Sequence, residues 1–319
     1  MFTEASHAHG ISEPGYLEDL SRIAGSGAVQ LNVAMKAFTS MRVGGQAAVM
    51  VEVRSAAVLS ELLHVLNQYG IPRAVFGNGS NLIVADEGYR GVLLHIGAGL
   101  SDVKPLEDGM EAEAGALLAS VARVAQRNGF AGLEFASGIP GSLGGAVAMN
   151  AGAYGREMKD VVRTTSCLDQ NGEFLILHGA DHHFSYRHSR MQEQDLIVVS
   201  TRLQLERDSP ELILERSMDL ARRRAEKQPL EYPSAGSTFK RPEGYFTGKL
   251  IEDCGLRGLR VGGAQVSEKH AGFIVNTGGA TADDVVCLVA LIRDKVRLET
   301  GVVLEPEIKL LKGDGQCSF

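Results

Sequence analysis

Three polar clusters in the later half of the chain carry groups able to move protons or hold anions: Tyr186-Arg187-His188-Ser189, Ser234-Ala-Gly-Ser237-Thr-Phe-Lys240 and Leu304-Glu-Pro-Glu307-Ile308. An arginine can fork onto a carboxylate, and a positioned hydroxyl or carboxyl can deliver a proton. Each cluster also has a plainer reading: a solvated turn, a turn-forming serine, and a sheet edge with two solvated glutamates. Upstream lie two stretches almost without obstructing side chains. Ser137 to Gly155 reads S-G-I-P-G-S-L-G-G-A-V-A-M-N-A-G-A-Y-G, and Gly77-Asn78-Gly79-Ser80-Asn81 is small and polar. Glycines permit positive φ and close approach, so successive N–H groups can converge on an anion such as a pyrophosphate. Small residues equally let elements pack tightly.

The elements around these stretches follow from periodicity and caps. Ser55 can cap a helix with Leu59, Leu62, Leu63 and Leu66 on one stripe, stopped by Gly70. Strands at 49–53 and 73–76 flank it, the second running directly into Gly77. Leu82 to Val84 and Gly91 to Ile96 read as strands joined by a turn at Asp86-Glu87-Gly88. A second block begins with a strand near 110–113 and a helix that turns Leu117, Leu118, Val121 and Val124 inward and ends at Gly129. Strands at 161–168, 173–177 and 196–205 complete it. Ser209 as N-cap with Pro210 at N1 opens a long charged helix, whose Arg222, Arg223, Arg224 and Lys227 suit the negative end of its dipole. A later helix starts at the Thr281/Asp284 capping box, carries Val285, Leu288, Val289, Ile292 and Val296 inward, and stops at Gly301. The expected units are a leader over 1–30, α+β blocks over 31–97 and 98–207, and a C-terminal unit over 208–319.

Composition narrows the classes. With 319 residues, 44% hydrophobic and 22% charged, the chain is globular rather than disordered or fibrous. A net charge of -7 with both signs mixed argues against a nucleic-acid partner. No apolar run approaches a membrane span, and the first ten residues lack a signal-peptide layout, so a cytoplasmic protein is expected. Cys167, Cys254, Cys287 and Cys317 form no C-x-x-C pair and read as reduced packing residues. His7 and His9 have no third ligand nearby, and no metal is expected. The 77–82 loop fails the Rossmann fingerprint because Leu82 stands where a glycine is needed, and Gly244 to Lys249 is one residue short of a Walker A.

Taken in order, T-S-M-R-V-G-G at 39–45, G-N-G-S-N-L at 77–82, G-I-P-G-S-L-G-G-A at 138–146 with N-A-G-A-Y-G at 150–155, Y-R-H-S at 186–189, S-A-G-S-T-F-K at 234–240 and L-E-P-E-I at 304–308 resemble the UDP-N-acetylenolpyruvoylglucosamine reductase family. The resemblance implies an α+β FAD-binding fold of the vanillyl-alcohol oxidase type, made of two α+β subdomains, with a C-terminal α+β substrate domain. It implies a cytoplasmic enzyme of peptidoglycan precursor synthesis that uses NADPH to reduce the enolpyruvyl ether of a UDP-sugar by way of FAD. Arg42, Gly77, Asn78, Gly79, Ser80, Asn81, Leu82, Gly138, Ile139, Pro140, Gly141, Ser142, Gly144, Gly145 and Ala146 would hold the FAD. Neither His nor Cys occurs in the two loops, which implies non-covalent FAD. Arg187 would steady the substrate carboxylate, Ser237 would protonate the carbanion and Glu307 would act as a protonated or proton-sharing carboxyl, preferred to Glu305 by its place before Ile308.

Lys227 or Lys240 would stabilise the serine alkoxide, and Tyr186, Lys227, Lys240, Arg241 and Gln265 would bind the UDP-sugar, with Lys269, His270 and Asn276 as further candidates. The short distance from Arg187 to Ser237 leaves no room for the lid loop of the longer subclass, so the chain resembles the short subclass. The expected state is a monomer. The alternatives are a flavin oxidase of the same superfamily and a non-catalytic flavin or nucleotide-sugar binder.

Overall fold

The computed structural model describes residues 14–315 and 317–318; His7 and His9 lie outside the described residues. The first sheet runs Val29–Ala34, Gln46–Glu52, Tyr89–His95, Arg73–Phe76 in space, with the outermost pair Val29–Ala34/Gln46–Glu52 antiparallel and the others parallel. The helix Ala56–Gln68 covers it through the four leucines read from the sequence, and Ser55 Oγ accepts from Val58 N–H as its cap. Within the segment assigned to a leader, the helix Pro14–Ala24 packs Tyr16, Leu20 and Ala24 into the same core. The loop 77–81 leaves from the C-terminal end of the parallel strand Arg73–Phe76, the edge where such sheets bind ligands.

A five-stranded antiparallel sheet follows in the order Phe174–His178, Val162–Leu168, Ile197–Gln204, Gly109–Glu113, Val103–Leu106. The helices Leu118–Arg127 and Leu143–Ala148 pack on it, and its core is continuous with that of the first sheet. One expectation is corrected here. Leu117 is the N-cap and 48% exposed, Val124 is half-buried, and Ala122 and Ala125 take the inward positions. The helix starts one residue later than the pattern suggests, because Leu117 is held in a bridge with Ser142.

The third sheet, Ser234–Ser237, Phe273–Asn276, Ala264–Val266, Arg260–Val261, is antiparallel and is backed by Thr247–Asp253 and Ala282–Thr300. The Ser209/Pro210 start and the Thr281/Asp284 capping box form as read. Two further expectations change. Leu82–Val84 and Tyr89–His95 are both strands but lie in different sheets: Leu82–Val84 pairs in parallel with Lys309–Leu311, and Ile83 is buried in the C-terminal core. The intervening turn therefore spans two sheets, and Asp86 caps Ala282 N–H and Asp283 N–H of the last helix at 2.9 Å each. Leu304 to Ile308 is not a sheet edge. Pro306, which lacks an N–H, makes a single bridge to Phe239 before the chain enters the sheet at Lys309. Among the described residues no helix is long and apolar enough to cross a membrane.

Candidate active site

The two small-residue loops face each other. A Cβ on Gly77 would lie 2.2 Å from Ser142 Oγ, and one on Gly141, where φ is +141°, would lie 3.0 Å from Ser80 Oγ. Gly79 at φ +59° is pressed against the Phe38 carbonyl, 2.0 Å from where a Cβ would sit. Among the described residues, no N–H of 77–81, nor of Gly141 or Ser142, donates a hydrogen bond to protein. Such a row of free donors is the chemistry of a diphosphate cradle. Gly145, Asn78 and Pro140 are exposed at its surface, Gly138 and Ile139 are half-buried, and Gly144 and Ala146 are buried behind it, Gly144 within 2.8 Å of Ala114 Cβ if given a side chain. Leu82 and Asn81 also support the loop from behind: Leu82 starts the strand, and Asn81 Nδ2 donates to the Glu307 carbonyl at 3.0 Å.

The 39–45 segment links this cradle to the third sheet. Ser40 N–H donates to Gly79 O at 3.1 Å, and Ser40 Oγ donates to Ser234 O at 2.7 Å. Arg42, at φ 57°, is exposed, and its guanidinium makes no bond to a described residue. Asn276 is buried and donates to Met41 O at 3.1 Å, so it braces this turn instead of facing a ligand.

Arg187, Ser237 and Glu307 come from three distant stretches to line one cavity of about 350 Å³. Arg187 stands in a turn at φ 56°, held by Ser189 Oγ to Ala148 O (2.6 Å) and by buried Asn150, whose Nδ2 donates to Ser185 O at 2.8 Å. Its Nε donates to Glu307 Oε1 at 2.7 Å and its Nη2 to Gly152 O at 3.3 Å. Burial pushes the Glu307 carboxyl above its ordinary range; the Arg187 and Lys240 charges pull the other way without cancelling it. Glu305 is exposed and ion-paired with Lys240 at 2.5 Å. Geometry thus separates the two glutamates. Ser237 ends a bulged strand after Gly236 at φ 77°, is exposed to the cavity, and makes no side-chain bond to a described residue.

Tyr186 and Arg241 reach the cavity together, Tyr186 OH accepting from Arg241 N–H at 3.1 Å while the Arg241 guanidinium stacks on Phe246 at 3.9 Å. The structure does not bring Lys227, Lys240 or Gln265 into the lining: Lys227 ends a helix, Lys240 is paired with Glu305, and Gln265 donates to Gly258 O at 3.2 Å. The cations that do line it are Arg241, Lys249, Arg257 and Lys269 beside Arg187. Lys249 and Arg257 were missed because, as sequence, they look like any solvated charge near a helix. His270 also faces in; burial lowers its pKa, with Arg257 and Lys227 adding to the effect, and Gly272 N–H donates to its Nδ1 at 3.1 Å. A larger cavity of about 490 Å³ lies against the helix Pro210–Lys227 but contains none of the trio, and Arg216 there is already held by Glu134 and Asp208, each at 2.7 Å.

Residues 228–311 match the profile described as the UDP-N-acetylenolpyruvoylglucosamine reductase C-terminal domain, and residues 47–178 match an FAD binding domain. A reductase of that name from Caldanaerobacter subterraneus subsp. tengcongensis is 49% identical over 92% of this chain and 97% of its own. One from Syntrophomonas wolfei is 46% identical over 89% and 95%. The crystal structure of the Thermus caldophilus reductase superposes with a TM-score of 0.75 at 35% identity, covering 88% of this chain and 97% of that one.

Proposed function

Because the chain belongs to the UDP-N-acetylenolpyruvoylglucosamine reductase family, an FAD-dependent oxidoreductase family of peptidoglycan precursor synthesis, we propose that it reduces the enolpyruvyl ether of a UDP-sugar with NADPH as the electron source. The observation that carries this reading is the convergence of Arg187, Ser237 and Glu307 on one cavity. The facing loops 77–82 and 138–146 fit a diphosphate, since the free N–H groups of 77–81, Gly141 and Ser142 are presented where close glycine contacts leave room for nothing bulkier than backbone. We assign non-covalent FAD to them, with 31–97 and 98–207 as its two halves and 208–319 as the unit that closes over the substrate. When bound, FAD supplies the hydride.

The protein's own groups do the rest. Arg187 has its Nε committed to Glu307, which leaves Nη1 to hold the substrate carboxylate. Glu307, whose carboxyl burial pushes above its ordinary range, can share a proton with that carboxylate as negative charge builds on the adjacent carbon. Ser237 Oγ, unengaged by any described residue, delivers the proton that completes the reduction. Arg241 and Lys269, with Lys249 and Arg257 although these two are paired with Asp253 and Glu252, outnumber the carboxylates of the lining and leave the cavity net positive, which attracts the sugar-nucleotide diphosphate and eases loss of the serine proton. The test is a single turnover under argon: NADPH should bleach the yellow protein, and the enolpyruvyl sugar nucleotide should restore its colour. A protein that bleaches but is reoxidised only by oxygen would refute the proposal.

A further inference from the structure

His188, inside the Tyr186-Arg187-His188-Ser189 cluster, has no part in the chemistry above, and its surroundings give it one. Ser185 and His188 close a two-residue hairpin, Ser185 N–H donating to His188 O at 3.1 Å and His188 N–H to Ser185 O at 3.2 Å. Tyr186 and Arg187 are its tip. Arg187 stands there at φ 56°, and His183, two residues ahead of the hairpin, is at φ 48°. Left-handed backbone is unfavourable for a residue with a Cβ, so an arginine stays at such a corner only where its surroundings over-determine it.

On the protein side the hairpin is held by the buried Asn150 and Ser189, with Gln192 Nε2 adding bonds to Ala148 O at 2.7 Å and Arg187 O at 3.3 Å. On the solvent side the brace is Glu193. Its Oε2 accepts from His183 Nδ1 at 3.0 Å and its Oε1 from His188 Nε2 at 2.8 Å, so one carboxylate ties the residue ahead of the hairpin to the residue that closes it. These bonds hold the Glu193 carboxyl below its ordinary range. Asp181, a second carboxylate of this stretch, is turned to His178 N–H at 3.3 Å. Exposed pairs of this kind contribute little to global stability, because water competes for each partner. A strained corner needs little. If the brace goes, the corner can relax toward ordinary backbone, which draws the Arg187 guanidinium off Glu307 and away from the substrate carboxylate.

Resting on the function proposed above, we propose that Glu193 is a positioning residue, which by bridging His183 and His188 keeps the hairpin shut and Arg187 aimed at Glu307 and the substrate. The test follows both half-reactions of FAD-loaded protein by stopped flow, with amide hydrogen exchange at Ser185 and His188, in wild type, Glu193→Ala, Glu193→Gln, Arg187→Ala and the variant carrying both alanines. Glu193→Ala should speed exchange of the two amides about tenfold and slow recolouring by the enolpyruvyl sugar nucleotide about tenfold, with bleaching by NADPH within about twofold of wild type. Glu193→Gln should stay within about threefold of wild type, since an amide can accept from one imidazole and donate to the other. Without Arg187 the loss of Glu193 should change recolouring no further, because nothing is left to position. Unchanged exchange or unimpaired recolouring in Glu193→Ala overturns the proposal, as does a slowing that persists in the Arg187→Ala background. Wild-type protein that the sugar nucleotide cannot recolour would instead sink the functional reading, and hydrogen exchange would still judge the brace.

Discussion

Replacing Gly77 by alanine tests whether the two halves of the cradle touch as described. The added Cβ would sit 2.2 Å from Ser142 Oγ and 3.1 Å from Ser142 Cβ, with the next neighbour, Ile96 O, at 3.7 Å. Rotating the hydroxyl away leaves the 3.1 Å contact, so the loops must part by several tenths of an ångström. Gly77 has no positive φ, so the effect is steric and not a backbone penalty. Overpacking of this kind costs about 1–3 kcal/mol. Ser142→Gly removes both offending atoms, and Ser142 makes no side-chain cap bond, so alone it should cost only a few tenths of a kcal/mol. In the double variant the clash disappears, and the coupling should return most of the ~1–3 kcal/mol. Urea unfolding of the FAD-free proteins measures the cycle, and FAD titration should show weakened binding in Gly77→Ala restored by the second change. Effects that add within about 0.5 kcal/mol would mean the loops do not meet, and the cradle argument would fail.

Ser237→Ala should bleach normally with NADPH but regain colour about 10²–10⁴-fold more slowly with substrate, the usual worth of a positioned proton donor; unimpaired recovery removes Ser237 from the chemistry. Glu307 has a raised pKa in the fold, so it adds stability below its unfolded value of 4.5 and that contribution is lost as pH rises through the folded pKa. Urea midpoints of Glu307→Gln should therefore lack this decline, and curves parallel to wild type from pH 4 to 8 would contradict the assignment. Burial pushes the Cys167 thiol up to about 12, whereas Cys287 is exposed. A thiol reagent at pH 8 should label Cys287 in the native protein and reach Cys167 only after unfolding; prompt labelling of Cys167 would place it wrongly.

Local signals carried well from sequence to structure. The Ser55 cap, the Ser209-Pro210 start and the Thr281/Asp284 box are decided within a few residues, and each forms as read. Long-range pairing did not carry. Nothing near Leu82–Val84 announces a partner at Lys309–Leu311, so proximity in sequence suggested Tyr89–His95 instead. Glu305 and Glu307 sit two apart, a spacing that in a regular strand would give them one face; the irregular backbone around Pro306 turns one to solvent and the other inward. The cations of the cavity were the least legible part. Lys227 and Lys240 carry the same single positive charge as Lys249 and Arg257, and only the packing of the helix Thr247–Asp253 against the third sheet decides which pair faces the trio.

The parallel pairing of Leu82–Val84 with Lys309–Leu311 makes the cradle a late product of synthesis. On the ribosome, the loop at 77–81 emerges long before the strand that braces Asn81 and the Glu307 carbonyl against it. A nascent chain can thus complete its first sheet early, but its grip on the cofactor waits until residue 311 has cleared the exit tunnel, so binding of FAD is expected to lag behind folding of the first sheet.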